Sequence, residues 1–136
     1  MEKYELYCHG VAREGIGACS WYIIDSCSKD YPNGRGALSG GTQGGATRMI
    51  IRAIYEGISR LPGRCAANLY YESLPKNNDN ADLKEEIYRV VKEKGLRLTW
   101  NETPIKEPLD IPVLPNELLW MTKHWAEESL RNFTNQ

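Results

Sequence analysis

The sequence predicts one mixed α/β domain in which three strands are followed by alternating helices and strands, in the order βββαβαβα. Alternating apolar and polar residues at Lys3–His9 and again at Leu96–Trp100 mark strands. Two stripes at helical spacing, each closed by a glycine or proline signal, mark helices. At 136 residues and 41% hydrophobic content the chain can bury one core, so residues 1–136 are expected to form a single domain around a mixed five-stranded sheet.

In the first strand, Tyr4, Leu6 and Cys8 fall on one side and Glu5, Tyr7 and His9 on the other. Gly15 and Gly17 flank the turn into Ala18–Asp25, whose run Trp21, Tyr22, Ile23, Ile24 suits a well-buried strand. Tyr31, Pro32, Asn33 and Gly34 form a turn signal before a weak third strand at Arg35–Gly41. Glycines at 40, 41, 44 and 45 then lead into a helix whose Ile50, Ile54, Gly57, Ile58 and Leu61 share one face, and Pro62 with Gly63 stops it.

Ala67–Ser73 supplies the fourth strand, and a polar loop around Lys76–Asn80 follows. Asp82 with Glu85 has the spacing of a capping box, and Leu83, Ile87, Val90 and Val91 form the inner face of a second helix ended by Gly95. After the fifth strand, Pro104, Pro108, Pro112 and Pro115 exclude regular structure. The last helix carries Leu118, Met121, Trp125 and Phe133 as its expected inner face.

Net charge is -1 and the pI about 6.1, which weighs against strong nonspecific binding to phosphate backbones. No apolar run approaches the roughly 20 residues that span a bilayer, and no leader precedes the first strand, so the expected setting is cytoplasmic, away from membranes. Cys8, Cys19, Cys27 and Cys65 lack zinc-site spacing and are expected as free thiols.

Three short motifs, on successive elements, resemble those of the ribonuclease H-like family. Tyr7, Cys8, His9 and Gly10 stand where that family has an aromatic, a small residue, an aspartate and a glycine. Ala46, Thr47, Arg48, Met49 and Ile50 stand where its first helix opens with two asparagines, arginine, methionine and glutamate. Tyr71, Glu72 and Ser73 replace threonine, aspartate and serine at the close of the fourth strand. The resemblance implies the ribonuclease H fold and, in an active member, hydrolysis of the RNA strand of an RNA/DNA hybrid by two magnesium ions.

Magnesium takes oxygen ligands, and four carboxylates would have to converge to hold two ions. Here the matching positions are His9, Ile50 and Glu72, with Ala126 or Glu127 at the fourth according to register. An imidazole and a hydrocarbon remove two ligands, and Glu72 shifts a third carboxylate by about 1.5 Å, enough to disturb in-line geometry. The resemblance therefore implies a catalytically inactive member with no catalytic residue, no bound metal and no cofactor.

Rival chemistry is weaker. Cys8 and His9 are adjacent on a strand, so they face opposite ways and cannot readily share a transition metal. His9 oriented by Glu72 would make a general base, yet only Ser73 offers a nearby hydroxyl. Binding is the better expectation than catalysis: the glycines before the first helix, with Thr47 and Arg48, could face an anion, although an entry loop capped by Thr42 or Thr47 is the more ordinary reading of the same stretch; Gly10 is grouped with them as a binding residue, and Tyr71 and Trp100 could stack bases, although strand aromatics are more often core. Lys123 with Glu127 and His124 with Glu128 are expected to pair along the last helix, with His9 at the rim of the cleft.

These observations lead to the expectation of a binding module whose partner is a protein ahead of an RNA/DNA hybrid or duplex, suited to an accessory or inhibitory role in a mobile element. The alternatives are a nuclease rebuilt from Glu72, Glu127 and Glu14 with magnesium or manganese, and a noncatalytic nucleic-acid binder.

Overall fold

The computed structural model describes residues 3–13, 15–25, 36–41, 45–72, 74, 80–103 and 116–134. Eight elements follow one another: β1 (Lys3–Arg13), β2 (Ile16–Asp25), β3 (Gly36–Gly41), α1 (Gly45–Ser59), β4 (Ala66–Tyr71), α2 (Ala81–Lys94), β5 (Arg97–Glu102) and α3 (Asn116–Thr134). They run βββαβαβα. The turn at Tyr31–Gly34, Cys27, Glu14, Thr42, Ser73, the loop at 76–79, the four prolines after β5 and the Phe133 side chain lie outside the described residues.

The sheet is five-stranded in the order β3-β2-β1-β4-β5. β1 pairs antiparallel with β2 and parallel with β4, so it is the central strand. Its alternation is used on both faces. Leu6 and Cys8 are fully buried in the core with Trp21 and Ile23 of β2 and the inner side of α1, while Tyr7 and His9 turn the other way.

Two glycines set how closely α1 lies on that first face. A Cβ on Gly10 would overlap the amide nitrogen of Ile50 and the carbonyl carbon of Met49, and one on Gly57 would stand 2.6 Å from the Leu6 Cδ1. Without side chains at these two points the helix can rest directly on β1.

α2 packs against α1 through Ile87 and Val90, with Leu83 and Val91 partly buried beside them, the face expected from sequence. Its start is not the capping box read from Asp82 and Glu85. Asn80 is the N-cap residue and makes no side-chain cap bond; its side-chain oxygen instead accepts from Arg48, whose guanidinium also grips both oxygens of Asp82 at 3.1 and 2.8 Å. At the other end Gly95 adopts the left-handed conformation that closes the helix.

α3 lies across β1, β2 and β3 on the opposite face of the sheet. Its buried residues are Leu119, Thr122, Ala126 and Leu130, so the helix is rotated from the face expected of Leu118, Met121 and Trp125. The cause is close approach: the Ser20 hydroxyl on β2 donates to the Thr122 carbonyl. Only small side chains fit that contact, and the bulkier residues flank it, with Trp125 meeting Tyr22 edge-on at 5.4 Å.

Trp100 departs from the expectation that strand aromatics are core. It is 44% exposed because β5 is an edge strand, and Tyr88, 70% exposed, stands across an apolar groove from it. Cys8, Cys19 and Cys65 are buried thiols outside any disulfide among the described residues. No helix among the described residues is long and apolar enough to cross a membrane.

Candidate functional site

The residues matching metal-ligand positions come from β1, α1, β4 and α3. His9 is paired across the strands with Ser20, whose hydroxyl bonds α3, so both side chains face that helix. It is only 3% exposed, buried beneath α3 rather than at a cleft rim. The register explains the difference, since α3 closes over this part of β1.

Burial pushes the His9 pKa down to about 4, and the positive charge of Lys123 on α3 pushes in the same direction. The imidazole is therefore neutral at physiological pH. Its Nδ1 has no hydrogen-bond partner among the described residues, so Glu72 does not orient it through that nitrogen. Cys8 points into the core beside Cys19, away from His9, and burial pushes its thiol up.

Ile50 is buried in the core among Met49, Ile51 and Ile54. Glu72 follows β4 half-buried, while Ala126 is completely buried and Glu127 half-buried. The Glu127 carboxylate lies 3.6 Å from Nδ1 of His124, a pairing of residues three apart. This replaces the expected pairs Lys123 with Glu127 and His124 with Glu128, and it leaves Lys123 with no ion pair among the described residues. The Lys123 ammonium instead lies 5.9 Å from the Trp120 ring centre, and Trp120 meets His124 edge-on at 4.6 Å.

The residues expected to bind an anion are placed apart from this cluster. Gly10 is sealed against α1, Thr47 is half-buried in its first turn, and the Arg48 guanidinium is held by Asp82 and Asn80. Tyr71 is buried, with its ring edge-on to Trp100 at 6.0 Å. Sequence reading does not single out Trp120, Arg13 or Arg131. They line the α3 side and the end of β1 without a local pattern that marks them.

Two magnesium ions do not fit these side chains. Among the described residues no three of His, Cys, Asp and Glu gather where a metal could be held. The charge beside His9 is a lysine's, and a neutral imidazole adds none to balance divalent ions.

No protein-family model matches the sequence, and no curated protein matches it. Among solved structures the chain is similar to a ribonuclease H1 isolated from compost by a metagenomic approach, with 14% identity over 98% of this chain and 99% of that one at a TM-score of 0.73. The same protein in complex with an RNA/DNA hybrid is 11% identical over 96% and 99%, again at 0.73. The N-terminal RNase H domain of a Mycobacterium tuberculosis protein is 10% identical over 98% and 99%, at 0.68. At such identities the likeness establishes architecture: this is an α/β protein with the ribonuclease H-like fold.

Proposed function

We propose that the chain is a catalytically inactive ribonuclease H-like domain acting as a binding module, with nucleic acid as the partner the site suits first. The position of His9 carries this reading. It is a buried neutral imidazole next to a lysine, at the strand position where the fold's nucleases need a carboxylate. A similar solved structure holds an RNA/DNA hybrid, which supports the choice of nucleic acid.

A protein partner is the second reading, favoured by the apolar groove lined by Ile51, Ile54, Ile87, Tyr88 and Trp100, where the two most exposed large hydrophobics among the described residues meet. In either case a cytoplasmic accessory or inhibitory role in a mobile element would use such a module.

Incubation of the purified chain with labelled RNA/DNA hybrid and magnesium or manganese should give no cleavage. Metal-dependent cleavage that disappears in Glu72→Gln would overturn the proposal in favour of a rebuilt nuclease using Glu72, Glu127 and Glu14.

A further inference from the structure

We infer that the outer edge of β5 is a self-association surface, on which a second copy of this chain adds its own β5 antiparallel, about a two-fold axis at Trp100. The inference goes beyond the proposed binding role and does not depend on it, since this edge lies outside the site built around His9.

The backbone of β5 has one side open. Arg97 N–H donates to the Cys65 carbonyl at 3.0 Å and Thr103 N–H to the Tyr71 carbonyl at 2.8 Å. Between them the register with β4 is unbroken, from Ala66 beside Arg97 to Tyr71 beside Glu102. Backbone groups alternate in direction along a strand, so the odd-numbered residues bond β4 while Leu98, Trp100 and Glu102 turn their N–H and C=O groups outward. Among the described residues no strand lies beyond β5. Proline, lysine and bulges are the usual guards of such an edge, and none interrupts Arg97–Glu102.

Charge selects the partner. Arg97 begins the strand and Glu102 ends it; both are exposed, and neither has an ion pair among the described residues. Antiparallel pairing of two copies sets each arginine beside the partner's Glu102, with Cα atoms roughly 6 Å apart, whereas parallel pairing in register would set like beside like. Their side chains leave the sheet on opposite faces, so the attraction acts across the rim and is modest at each end. With Trp100 opposite the partner's Trp100, Leu98 falls opposite the partner's Glu102. Every outward-turned residue then exchanges backbone bonds with another outward-turned residue.

Trp100 and Tyr88, the most exposed large hydrophobics among the described residues, supply the apolar part. Together they border a cavity of about 190 Å³ that Ile51, Ile54 and Ile87 also line. Across the joined strands the two Trp100 Cα atoms stand roughly 5.5 Å apart, so each indole shields the other from water on the α2 side of the sheet. An edge of six residues makes a small interface, and the dissociation constant should be on the order of 10–100 μM.

The test is sedimentation velocity on the full chain at low salt, from about 2 to 500 μM, a span that brackets that constant. Wild type should pass from monomer to dimer across the series. Arg97→Glu and Glu102→Arg should each weaken the dimer about fivefold or more, because two contacts turn from attractive to repulsive. The double variant carrying both reversals should recover it. An equimolar mixture of the two single variants should associate more tightly than either alone, since each then meets its opposite charge. Trp100→Lys should abolish the dimer, and Arg13→Glu, a charge reversal at the end of β1, should leave it unaltered. Melting curves would check that the variants remain folded.

A chain that stays monomeric throughout overturns the inference, as does a dimer indifferent to both charge reversals. Loss in each single variant without recovery in the double variant or the mixture overturns the antiparallel arrangement. Cleavage of a hybrid would overturn the noncatalytic reading alone, because the dimer is measured without nucleic acid.

Discussion

Gly10 and Ile50 meet backbone to backbone: a methyl group on the glycine would overlap the Ile50 amide nitrogen. A helix backbone cannot yield as a side-chain tip can, so Gly10→Ala should cost at least about 3 kcal/mol, at the upper end of overpacking effects. Gly15→Ala is the control. It sits at φ 77° with open space around the added atom, and the left-handed backbone alone should cost about 1 kcal/mol. Urea denaturation of the two variants should separate them by their midpoints at equal m-value.

The Arg48–Asp82 pair ties the first turn of α1 to the first turn of α2, and Arg48→Ala should lower stability without changing affinity for nucleic acid. Arg48 holds the Asp82 carboxyl well below its ordinary value, at about 2. A folded-state pKa below the unfolded one means that the contribution is fully present above the unfolded value near 3.8 and is lost as pH falls through 2. Thermal melts of wild type and Arg48→Ala should therefore differ at neutral pH and converge near pH 2. Retained separation there would show that the arginine acts through packing rather than charge.

His9 gives a pH dependence in a different window. Its folded pKa of about 4 lies below the unfolded value of 6.5, so the unfolded chain binds a proton first. The neutral, buried state is fully favourable above pH 6.5, and roughly 3 kcal/mol is lost as pH falls from there through 4. In His9→Gln that part of the acid limb should flatten. Denaturant midpoints measured in half-unit steps would reveal it, and an unchanged limb would mean that the imidazole is not neutral in the folded chain.

Local pattern was enough for some of this architecture and not for the rest. Alternation along Tyr4–His9 already sends Cys8 and His9 to opposite faces, and the stripe through Ile50, Ile54 and Ile58 already makes Ile50 a packing residue. Where the outcome depended on distant neighbours, the sequence misled. Trp125 and Met121 are large apolar residues of α3, yet the inner face belongs to Leu119, Thr122, Ala126 and Leu130, with the small pair at its centre where Ser20, about a hundred residues earlier, draws the helix backbone close. Arg48 lies 34 residues from Asp82, so nothing nearby in the chain shows that its charge is already engaged. Trp100 is exposed because β5 ends the sheet, a property of strand order rather than of the strand.

The Lys94 side chain makes another long-range tie. Its ammonium donates to the Ser59 and Leu61 carbonyls, each at 2.6 Å, at the point where α1 ends. Helix C-termini leave carbonyls unpaired and carry partial negative charge, so a cation there satisfies both needs. The same residue ends α2, joining the close of one helix to the close of the other. Lys94→Met keeps the aliphatic stem but removes the donor, and should cost about 1–3 kcal/mol, the range for stranding partly buried acceptors of a charged hydrogen bond. Hydrogen exchange distinguishes this from a general loss of stability: amides in the last turn of α1 should gain exchange beyond the global change, while those of β1 and β2 should follow it. Uniform acceleration across all elements would show that the lysine does not hold that turn locally.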